Sequence, residues 1–533
     1  MNLASTAAAS SRKSIGWRTL PYLSVYNNNL YLHSPEAMAM RSEGINSNVK
    51  GPKSTMSPEN YFLDWQKSQT LAEIMSPLIG QLYRQKGVEA VLCGKTLINA
   101  TTIDIIKTHR VTRRYLSEPL ALDKTLPLLQ QLSTLELAPC RIDIGQLASQ
   151  YWQQHEDEHG LKDYLLTALD AALQPAQAIE PKDVVLYGFG RIGRLLARLL
   201  IEKSGAGYPL RLRAIVVRGG KEGDLEKRAS LLRRDSVHGQ FNGSITIDKE
   251  RKALIANGNF IQVIYANSPQ DVDYTAYGIH NALVVDNTGV WRDSEGLSQH
   301  LASPGASKVL LTAPGKGDIK NVVFGVNESV IQPEDTIISA ASCTTNAITP
   351  VLKAVNDRFG ITSGHIETVH SFTNDQNLID NFHKGERRGR AASLNMVLTE
   401  TGAAKAVAKA LPELSGKLTG NSIRVPTPNV SMAIANLNLA HATTKQELNA
   451  YLREMATHSP LSGQIDYTES TEIVSSDLVG SRYAGVVDAT ATIAQDSRCV
   501  LYVWYDNEFG YSCQVMHCME QMMGVRYPTY PAQ

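Results

Sequence analysis

A cysteine set between small and hydroxyl side chains is the first candidate for chemistry in this sequence. Cys343 lies within residues 339–346 (S-A-A-S-C-T-T-N), after the short β-branched run 336–338 and before the helically spaced run 347–359. The pattern predicts a helix that begins near Cys343. Backbone N–H groups and the positive dipole end at such a position favour a thiolate and can stabilise an oxyanion on an attacked carbonyl. Cys343 is therefore a candidate nucleophile, although a lone cysteine in such surroundings is more often an inert core thiol.

A glycine-rich turn is the second candidate. The apolar run 184–187 precedes G-F-G-R-I-G at residues 188–193, and an apolar helical pattern follows. In this setting Gly188 permits the turn, Gly190 lets the backbone approach a pyrophosphate, and Gly193 lets the helix pack on the strand. The helix N-terminus then faces the phosphate charge. The pattern predicts a dinucleotide site formed by Gly188, Phe189, Gly190, Arg191, Ile192 and Gly193.

Three further strand-like runs suit a parallel sheet around this turn, at residues 214–217, 283–285 and 309–312. Thr288 and Gly289 follow the second of these runs, and Thr312 ends the third. Ligands of open α/β sheets bind beyond the carboxyl ends of the strands, so these residues are expected to lie over the cofactor. The sequence therefore predicts an α/β fold with a Rossmann dinucleotide-binding domain.

Six segments occur in a fixed order along the C-terminal two-thirds of the chain. They are S-C-T-T-N (342–346), H-S-F-T-N-D-Q (370–376), R-R-G-R-A-A-S (387–393), T-G-A-A-K-A (401–406), R-V-P-T-P-N-V-S (424–431) and W-Y-D-N-E-F-G-Y-S (504–512). Together they resemble the phosphorylating glyceraldehyde-3-phosphate dehydrogenase family. The resemblance covers about residues 181–533 and leaves the first 180 residues outside, so the chain is expected to be an N-terminally extended form.

The resemblance implies a covalent mechanism. Cys343 would add to the aldehyde of glyceraldehyde 3-phosphate as a hemithioacetal, from which hydride can leave. His370 would hold the thiolate as an ion pair and act as the base. Asn507 would bind the carboxamide of the nicotinamide and fix its reactive face. The expected products are 1,3-bisphosphoglycerate and NADH or NADPH, in glycolysis or gluconeogenesis.

The resemblance also implies two phosphate sites and a homotetramer. Arginine forks and hydroxyl donors suit phosphate. Thr373 and Arg424 would hold the substrate phosphate, with Arg388 near both sites. The attacking inorganic phosphate would be bound by Ser342, Thr344, Thr401 and Gly402. Asp375 would contact the cofactor ribose and Tyr511 would pack near the nicotinamide.

The end of the second strand departs from the family pattern. Members that prefer NAD place an acidic residue there, whereas residues 214–220 (A-I-V-V-R-G-G) offer Arg218 or Gly219. Loss of the acid removes repulsion against a 2′-phosphate, and Arg218 could pair with that phosphate. Asp224 or Glu222 could instead bind the ribose, so the expected cofactor is NAD or NADP.

Composition narrows the class of protein. The chain has 533 residues, with 52 Lys and Arg against 52 Asp and Glu, and this zero net charge argues against a nucleic-acid partner or an anionic membrane bound through a global basic field. Six cysteines without regular spacing indicate a reducing compartment, and a cytoplasmic location is expected. No apolar stretch approaches the ~18 residues that a membrane span needs.

The chain is expected to have four parts. Residues 1–55 are Ser- and Asn-rich and are typical of disorder, or precede a true start at Met56. Residues 56–178 should form a helical extension, 179–342 the Rossmann domain completed by a C-terminal helix at 507–533, and 343–506 a mixed α+β catalytic domain. An apolar stripe from Leu161 to Leu173 predicts that the extension packs on the catalytic body or a neighbouring subunit, with a separate regulatory ligand module as the alternative.

Residues 155–159 (H-E-D-E-H) satisfy the H-E-x-x-H zinc pattern, but we expect no metal here. Both central positions are acidic, Gly160 follows at once, and no third ligand is identifiable. A solvated, charged helix end explains the segment better.

Two rival functions stay open at this point. Erythrose-4-phosphate dehydrogenase shares the fold and most of the six segments. A regulatory protein on a retired enzyme scaffold is the rival from another class, and the presence of Cys343, His370, Arg424 and Asn507 argues against it.

Overall fold

The computed structural model describes residues 57–116, 118–173, 180–205, 207–220, 222–525 and 527–531. The expectation of disorder at residues 1–55, and the alternative start at Met56, therefore lie outside the described residues. Within the described ranges, no helix is both long enough and apolar enough to span a bilayer.

In its described residues the extension contains five α-helices and a short sheet. The helices are α1 (Pro58–Gln81), α2 (Thr102–Val111), α3 (Leu122–Thr134), α4 (Ile144–Trp152) and α5 (Leu161–Ala168). The strands are β1 (Glu89–Leu92), β2 (Lys95–Thr96) and β3 (Arg141–Asp143), with β1 antiparallel to β2 and parallel to β3. The expected helical extension is present, and the sheet is an addition that the helical stripes did not indicate.

The extension has a hydrophobic core of its own. Leu128, Leu147 and Leu165 are completely buried in a cluster formed by extension residues, with Tyr530 packed against its edge. The apolar stripe that begins at Leu161 lies in this cluster. Its partners are therefore mainly the other helices of the extension, so neither of the two expected partners, the catalytic body and a neighbouring subunit, is needed to bury it.

The Rossmann domain is a nine-stranded sheet in the order β13-β14-β12-β11-β4-β5-β10-β9-β8. Its strands are β4 (Lys182–Tyr187), β5 (Leu210–Val217), β8 (Ile245–Asp248), β9 (Ala253–Ala256), β10 (Asn259–Tyr265), β11 (Ala282–Asp286), β12 (Ala306–Leu311), β13 (Lys320–Asn321) and β14 (Ile337–Ser339). The path from β13 to β10 is parallel, whereas β9 and β8 add an antiparallel edge. Helices α6 (Arg191–Glu202), α7 (Asp224–Arg233) and α8 (Ser294–Leu301) and the hairpin of β6 (Arg234–Asp235) and β7 (Gly239–Gln240) complete it.

The catalytic domain is a mixed sheet with helices, as expected. The sheet runs in the order β16-β17-β15-β18-β22-β20-β19, with β21 paired to β22. Its strands are β15 (Ile361–Ser371), β16 (Val397–Glu400), β17 (Leu418–Val425), β18 (Ser431–Leu439), β19 (Ile465–Thr468), β20 (Gly485–Asp488), β21 (Ile493–Gln495) and β22 (Arg498–Tyr505). The helices are α9 (Cys343–Phe359), α10 (Ala403–Ala410) and α11 (Lys445–His458).

The C-terminal segment joins all three parts of the molecule. Helix α12 (Phe509–Met522) packs against α6 of the Rossmann domain, as expected. The expectation of a helix through 507–533 is wrong, because Gly524 adopts a left-handed conformation (φ 64°) that ends α12. The chain then forms β23 (Thr529–Tyr530), which pairs in parallel with β3 and so adds a fourth strand to the sheet of the extension.

Candidate active site

Cys343 is the first residue of α9, and local geometry fixes it there. The Ser342 hydroxyl caps the helix by accepting a hydrogen bond of 3.1 Å from the backbone N–H of Thr345. Ala341 adopts φ 54°, an uncommon conformation for a residue with a Cβ atom, and the Tyr511 hydroxyl donates to its carbonyl oxygen at 2.9 Å. Such strain persists only where the surroundings hold it, which is typical of functional sites.

Strand register brings His370 and Arg424 to this thiol. They are direct partners in the parallel pair of β15 and β17. The His370 Nε2 atom lies 3.5 Å from the Cys343 Sγ atom. On the other side of the ring, Nδ1 donates to the Ser371 carbonyl at 2.7 Å, and Arg424 Nη1 lies 2.7 Å from Nδ1 and donates to the same carbonyl at 3.1 Å. Nε2 is then free to accept the thiol proton.

The pKa shifts of Cys343 and His370 favour a neutral thiol–imidazole pair. Burial raises the pKa of the Cys343 thiol, and the Arg424 guanidinium opposes that shift. Burial and then Arg424 lower the pKa of His370 to about 3. The resemblance implies a thiolate–imidazolium ion pair instead, and the difference arises because both groups are desolvated and the guanidinium repels a second positive charge.

Asn507 is held with its amide in one orientation. Its Oδ1 atom accepts hydrogen bonds of 2.8 Å from the hydroxyls of Ser371 and Ser431. Because the two hydroxyls occupy the acceptor, the Nδ2 protons remain as donors for a ligand carbonyl. This is the group that a nicotinamide carboxamide requires, so Asn507 fits its expected partner.

The glycine turn between β4 and α6 has the geometry of a phosphate cradle. Gly188 adopts φ 93°, and a Cβ atom on it would lie 2.9 Å from the Thr288 Cγ2 atom. A Cβ atom on Gly193 would lie 2.3 Å from the Gly188 carbonyl oxygen, whereas one on Gly190 would meet open space. The first and third glycines are therefore required by packing, and the second leaves room for a ligand.

The side chains of the glycine turn contact other residues of the protein. Phe189 and Ile192 pack against the Rossmann core, and Arg191 Nη1 donates to Asp235 at 2.7 Å while its Nη2 donates to Glu508. The backbone of the turn, rather than the Arg191 guanidinium, is thus available to a pyrophosphate.

The ends of β11 and β12 meet beside the turn, as expected. Thr288 donates to the buried Asp286 through both its backbone N–H and its hydroxyl, each at 2.7 Å. The Thr312 hydroxyl donates to the Asp286 carbonyl oxygen at 3.0 Å. His300 Nε2 lies 3.0 Å from the other Asp286 carboxylate oxygen and completes the support of this loop.

The chain matches known proteins over these same elements. Residues 182–294 match the NAD binding domain of glyceraldehyde 3-phosphate dehydrogenase, and residues 342–507 match the C-terminal domain of that enzyme. A "Glyceraldehyde-3-phosphate dehydrogenase-like protein" of Pseudomonas aeruginosa strain UCBPP-PA14 is 62% identical over 461 residues, which is 86% of this chain and all of that protein. This chain belongs to the glyceraldehyde-3-phosphate dehydrogenase family. It is an NAD-dependent oxidoreductase with a Rossmann domain and a catalytic domain.

Two other relatives match a shorter part of this chain. The glyceraldehyde-3-phosphate dehydrogenase of Zymomonas mobilis is 39% identical and that of Thermotoga maritima is 42% identical, each over 341 residues, or 64% of this chain and 98% of the relative. The 461-residue match to the Pseudomonas protein is longer than the body, so it includes part of the extension.

In this dehydrogenase a basic cavity of about 660 Å³ opens between the two domains. Thr373, Asp375, Arg388 and Arg424 line it, as does Gly289 from the Rossmann side. Sequence reasoning missed three further cations in its lining, Arg292, Lys316 and Lys384. They lie outside the six segments, and only the fold shows that they converge. The excess of cations over carboxylates suits a phosphorylated ligand.

The structure places Asp375 among the candidate phosphate residues. Arg388 Nη1 donates to its carboxylate at 2.9 Å, and the Thr373 hydroxyl donates to its other oxygen. The ribose contact implied by the resemblance would require Asp375 to exchange these partners.

The candidate residues for inorganic phosphate lie at two helix starts. Thr344 donates to or accepts from the Tyr505 hydroxyl at 2.9 Å, and Ser342 is occupied as the cap of α9. Thr401 accepts from the Ala403 N–H at 3.1 Å, and Gly402 precedes α10. A Cβ atom on Gly402 would meet open space.

Among the described residues, no group of three or more His, Cys, Asp and Glu side chains is arranged to hold a metal. In the H-E-x-x-H segment the ring of His155 stacks on Tyr151, with centroids 4.3 Å apart. The segment follows the end of α4 instead of lying on a helix, so its two histidines do not share a helical face.

Proposed function

We propose that this dehydrogenase oxidises glyceraldehyde 3-phosphate with NAD and inorganic phosphate to 1,3-bisphosphoglycerate. The observation that carries the proposal is the 3.5 Å approach of His370 Nε2 to Cys343 Sγ at the start of α9. A nucleophile paired with a base, beside an anion-binding cavity, is what acyl transfer from a phosphorylated aldehyde requires.

The first step uses the pair in its neutral form. His370 Nε2 takes the Sγ proton as the thiolate adds to the aldehyde carbon, and the proton then passes to the new alkoxide of the hemithioacetal. Backbone N–H groups at the start of α9 support the oxyanion as it forms. Since Arg424 lowers the pKa of both groups, it favours a thiolate and an imidazole that gives its proton away readily.

The second step oxidises the hemithioacetal to a thioester. His370 Nε2 removes the hydroxyl proton while hydride leaves the same carbon, and NAD, when bound, accepts that hydride. The glycine turn 188–193 would hold the pyrophosphate and Asn507 Nδ2 the carboxamide. Inorganic phosphate held near Thr401 and Gly402 then attacks the thioester carbon, and the Cys343 thiolate departs.

The substrate phosphate is assigned to the basic cavity. Arg424 and Arg388 offer planar donors there, and Thr373 lines the same cavity. We also propose that NADP is accepted. Arg218 is exposed at the end of β5, and Asp224 is bound by Arg228 at 2.6 and 3.1 Å, so Asp224 is not poised for a ribose.

A homotetramer is proposed on an exposed apolar segment of the catalytic domain. Leu378, Ile379, Phe382, Leu394 and Met396 are largely exposed in this chain. Several large apolar side chains exposed within one segment are typical of an interaction site, and a second copy of the chain is the occupant that the family suggests. A cytoplasmic location is proposed on the sequence alone, from six cysteines without paired spacing.

The test is an initial-rate assay of the purified chain with glyceraldehyde 3-phosphate or erythrose 4-phosphate, with NAD or NADP, and with or without phosphate. The proposal expects the highest kcat/KM with glyceraldehyde 3-phosphate and a strict need for phosphate or arsenate. Faster turnover of erythrose 4-phosphate without phosphate would assign the rival dehydrogenase. No oxidation of either aldehyde would favour a non-catalytic protein on this scaffold.

A further inference from the structure

A buried cluster of charged side chains lies where the Rossmann domain meets the start of α12. His238 projects into it from the hairpin of β6 and β7, and its side chain is 4% exposed. Asp506, which precedes Asn507, is 0% exposed. Neither residue touches the reacting thiol, and the mechanism described above does not use them.

His238 is held from both ends of its ring. Nε2 donates to Asp506 Oδ2 at 3.2 Å, and Asn429 Nδ2 lies 3.4 Å from the same nitrogen. Nδ1 lies 3.6 Å from an Asp235 oxygen and 3.8 Å from a Glu508 oxygen. The ring also stacks on Phe509, with centroids 5.7 Å apart.

Three carboxylates and three guanidinium groups lie around His238. The carboxylates are Asp235, Asp506 and Glu508. Arg191 Nη2 lies 3.4 Å from His238 Nδ1 and Arg194 lies 3.6 Å from Asp235, whereas Arg198 Nη1 donates to the His238 carbonyl oxygen at 3.4 Å. Burial by itself lowers the pKa of His238, but the hydrogen bonds to Asp235 and Asp506 outweigh it and raise the pKa to about 9.

Asp506 in turn fixes the backbone that follows Asn507. Its Oδ1 atom accepts from the N–H groups of Glu508 at 3.0 Å and Phe509 at 2.8 Å. Its Oδ2 atom accepts from the Gly480 N–H at 2.8 Å as well as from His238. The turn that carries Asn507 is therefore tied to the Rossmann domain through the His238 ring, in addition to the ion pair between Arg191 and Glu508.

We propose that His238 is a positioning residue for Asn507: by holding Asp506, it sets the amide that receives the nicotinamide relative to the domain that binds the rest of the cofactor. The inference rests on the proposed function, because that function assigns Asn507 to the carboxamide. A residue that acts through another should show its effect only while the second residue is present.

The test is a double-mutant cycle on kcat/KM for NAD, with His238→Gln, Asn507→Ala and the double variant. We expect His238→Gln to lower kcat/KM for NAD about tenfold and to change the aldehyde KM less than about twofold. In the Asn507→Ala background, His238→Gln should leave kcat/KM for NAD unchanged. His238→Lys, which keeps a cation and a donor, should recover part of the loss. His109→Gln is the matched control, because His109 is a buried histidine of the extension, and it should change kcat/KM equally in both backgrounds.

A second measurement needs no variant of His238. The raised folded-state pKa means that the charged ring is present below about 9 and is lost as pH rises through that value. In the wild type, kcat/KM for NAD should fall above pH 9 more steeply than in Asn507→Ala. If the pH profiles of the wild type and Asn507→Ala were parallel, His238 would have only a structural role. The same conclusion would follow if His238→Gln lowered kcat/KM equally in the wild-type and Asn507→Ala backgrounds. A wild type that fails to oxidise the aldehyde would overturn the proposed function itself.

Discussion

The catalytic body and the N-terminal extension use buried residues for different purposes. In the body, the candidate site residues from Gly188 to Tyr511 lie at strand ends and helix starts, where two domains face each other. In the extension, buried apolar side chains from all five helices form one cluster, with leucines from α3, α4 and α5 and Ala72, Met75, Ile105 and Ile106 among those from α1 and α2. One outer strand of its short sheet is β23, which comes from the C-terminal segment. The body is built around a cleft, whereas the extension is built around a core.

The two regions are nevertheless joined at several points. The Tyr83 hydroxyl donates to the Lys203 carbonyl oxygen, and the Tyr115 hydroxyl donates to Asp466 at 3.4 Å. β23 pairs with β3 only a few residues after α12, the helix that begins next to Asn507. These contacts fix the extension against the body through side chains and through a shared strand pair.

The sharpest test of this division is Cys343→Ser. We expect aldehyde oxidation to fall below detection, since a serine hydroxyl in this position is a far weaker nucleophile than a thiolate, while NAD binding is retained. Activity assays and calorimetric titration with NAD measure the two effects. The assignment would be lost if the serine variant kept its rate, or if alkylation of another cysteine abolished activity while Cys343 stayed unmodified.

Arg424→Gln should have the next largest effect. Loss of a charged donor to the substrate phosphate should cost about 2–4 kcal/mol in kcat/KM for the aldehyde. Because Arg424 also lowers the pKa of Cys343 and of His370, both pKa values should rise in this variant, and thiol alkylation near pH 7 should slow.

Arg424→Lys is the matched control for that prediction. It keeps the positive charge but not the planar fork, so alkylation should stay closer to the wild-type rate while aldehyde KM still rises. Equal alkylation rates in wild type and Arg424→Gln would show that the guanidinium does not tune the thiol.

Leu128→Ala tests whether the extension is separable from the chemistry. Leu128 is completely buried in the extension core, so the cavity should cost about 2–5 kcal/mol of stability there, with kcat/KM unchanged. Leu501→Ala, equally buried in the catalytic sheet, is the control and should lower both stability and activity. Thermal unfolding and steady-state kinetics report the two quantities. A proportional loss of kcat/KM in Leu128→Ala would mean that the extension shapes the site directly.

Arg218→Ala should have the smallest effect. We expect NADP to be used with no more than about a tenfold penalty relative to NAD, below ~1.4 kcal/mol. The variant should weaken NADP more than NAD, because only NADP carries the 2′-phosphate that a guanidinium can pair with. Steady-state kcat/KM for both cofactors decides the matter. A strong wild-type preference for NAD that the variant leaves untouched would point to Glu222 or another acid at the ribose.

Local sequence patterns were enough to predict several features of the catalytic body. Gly188, Gly190 and Gly193 indicated a nucleotide-binding turn because each position of this strand–turn–helix unit excludes a side chain for a different steric reason. The start of α9 near Cys343 followed from the helical spacing of residues 347–359 after the β-branched run 336–338. The extension was harder, because two- and three-residue strands leave almost no periodicity in the sequence, and β23 forms only with a partner from the other end of the chain.

The sequence by itself determined which groups can react: a thiol at a helix start, an imidazole at the end of a strand, and an amide after another strand. The tertiary structure decided how they meet and in which state. The register of β15 and β17 places Arg424 beside His370, and burial raises the pKa of Cys343 and lowers the pKa of His370, both of which disfavour the expected ion pair. It also gathers Arg292, Lys316 and Lys384 into the basic cavity and places His238 against Asp506. Such effects depend on dielectric surroundings and on distances between residues far apart in the chain, and no local pattern encodes either.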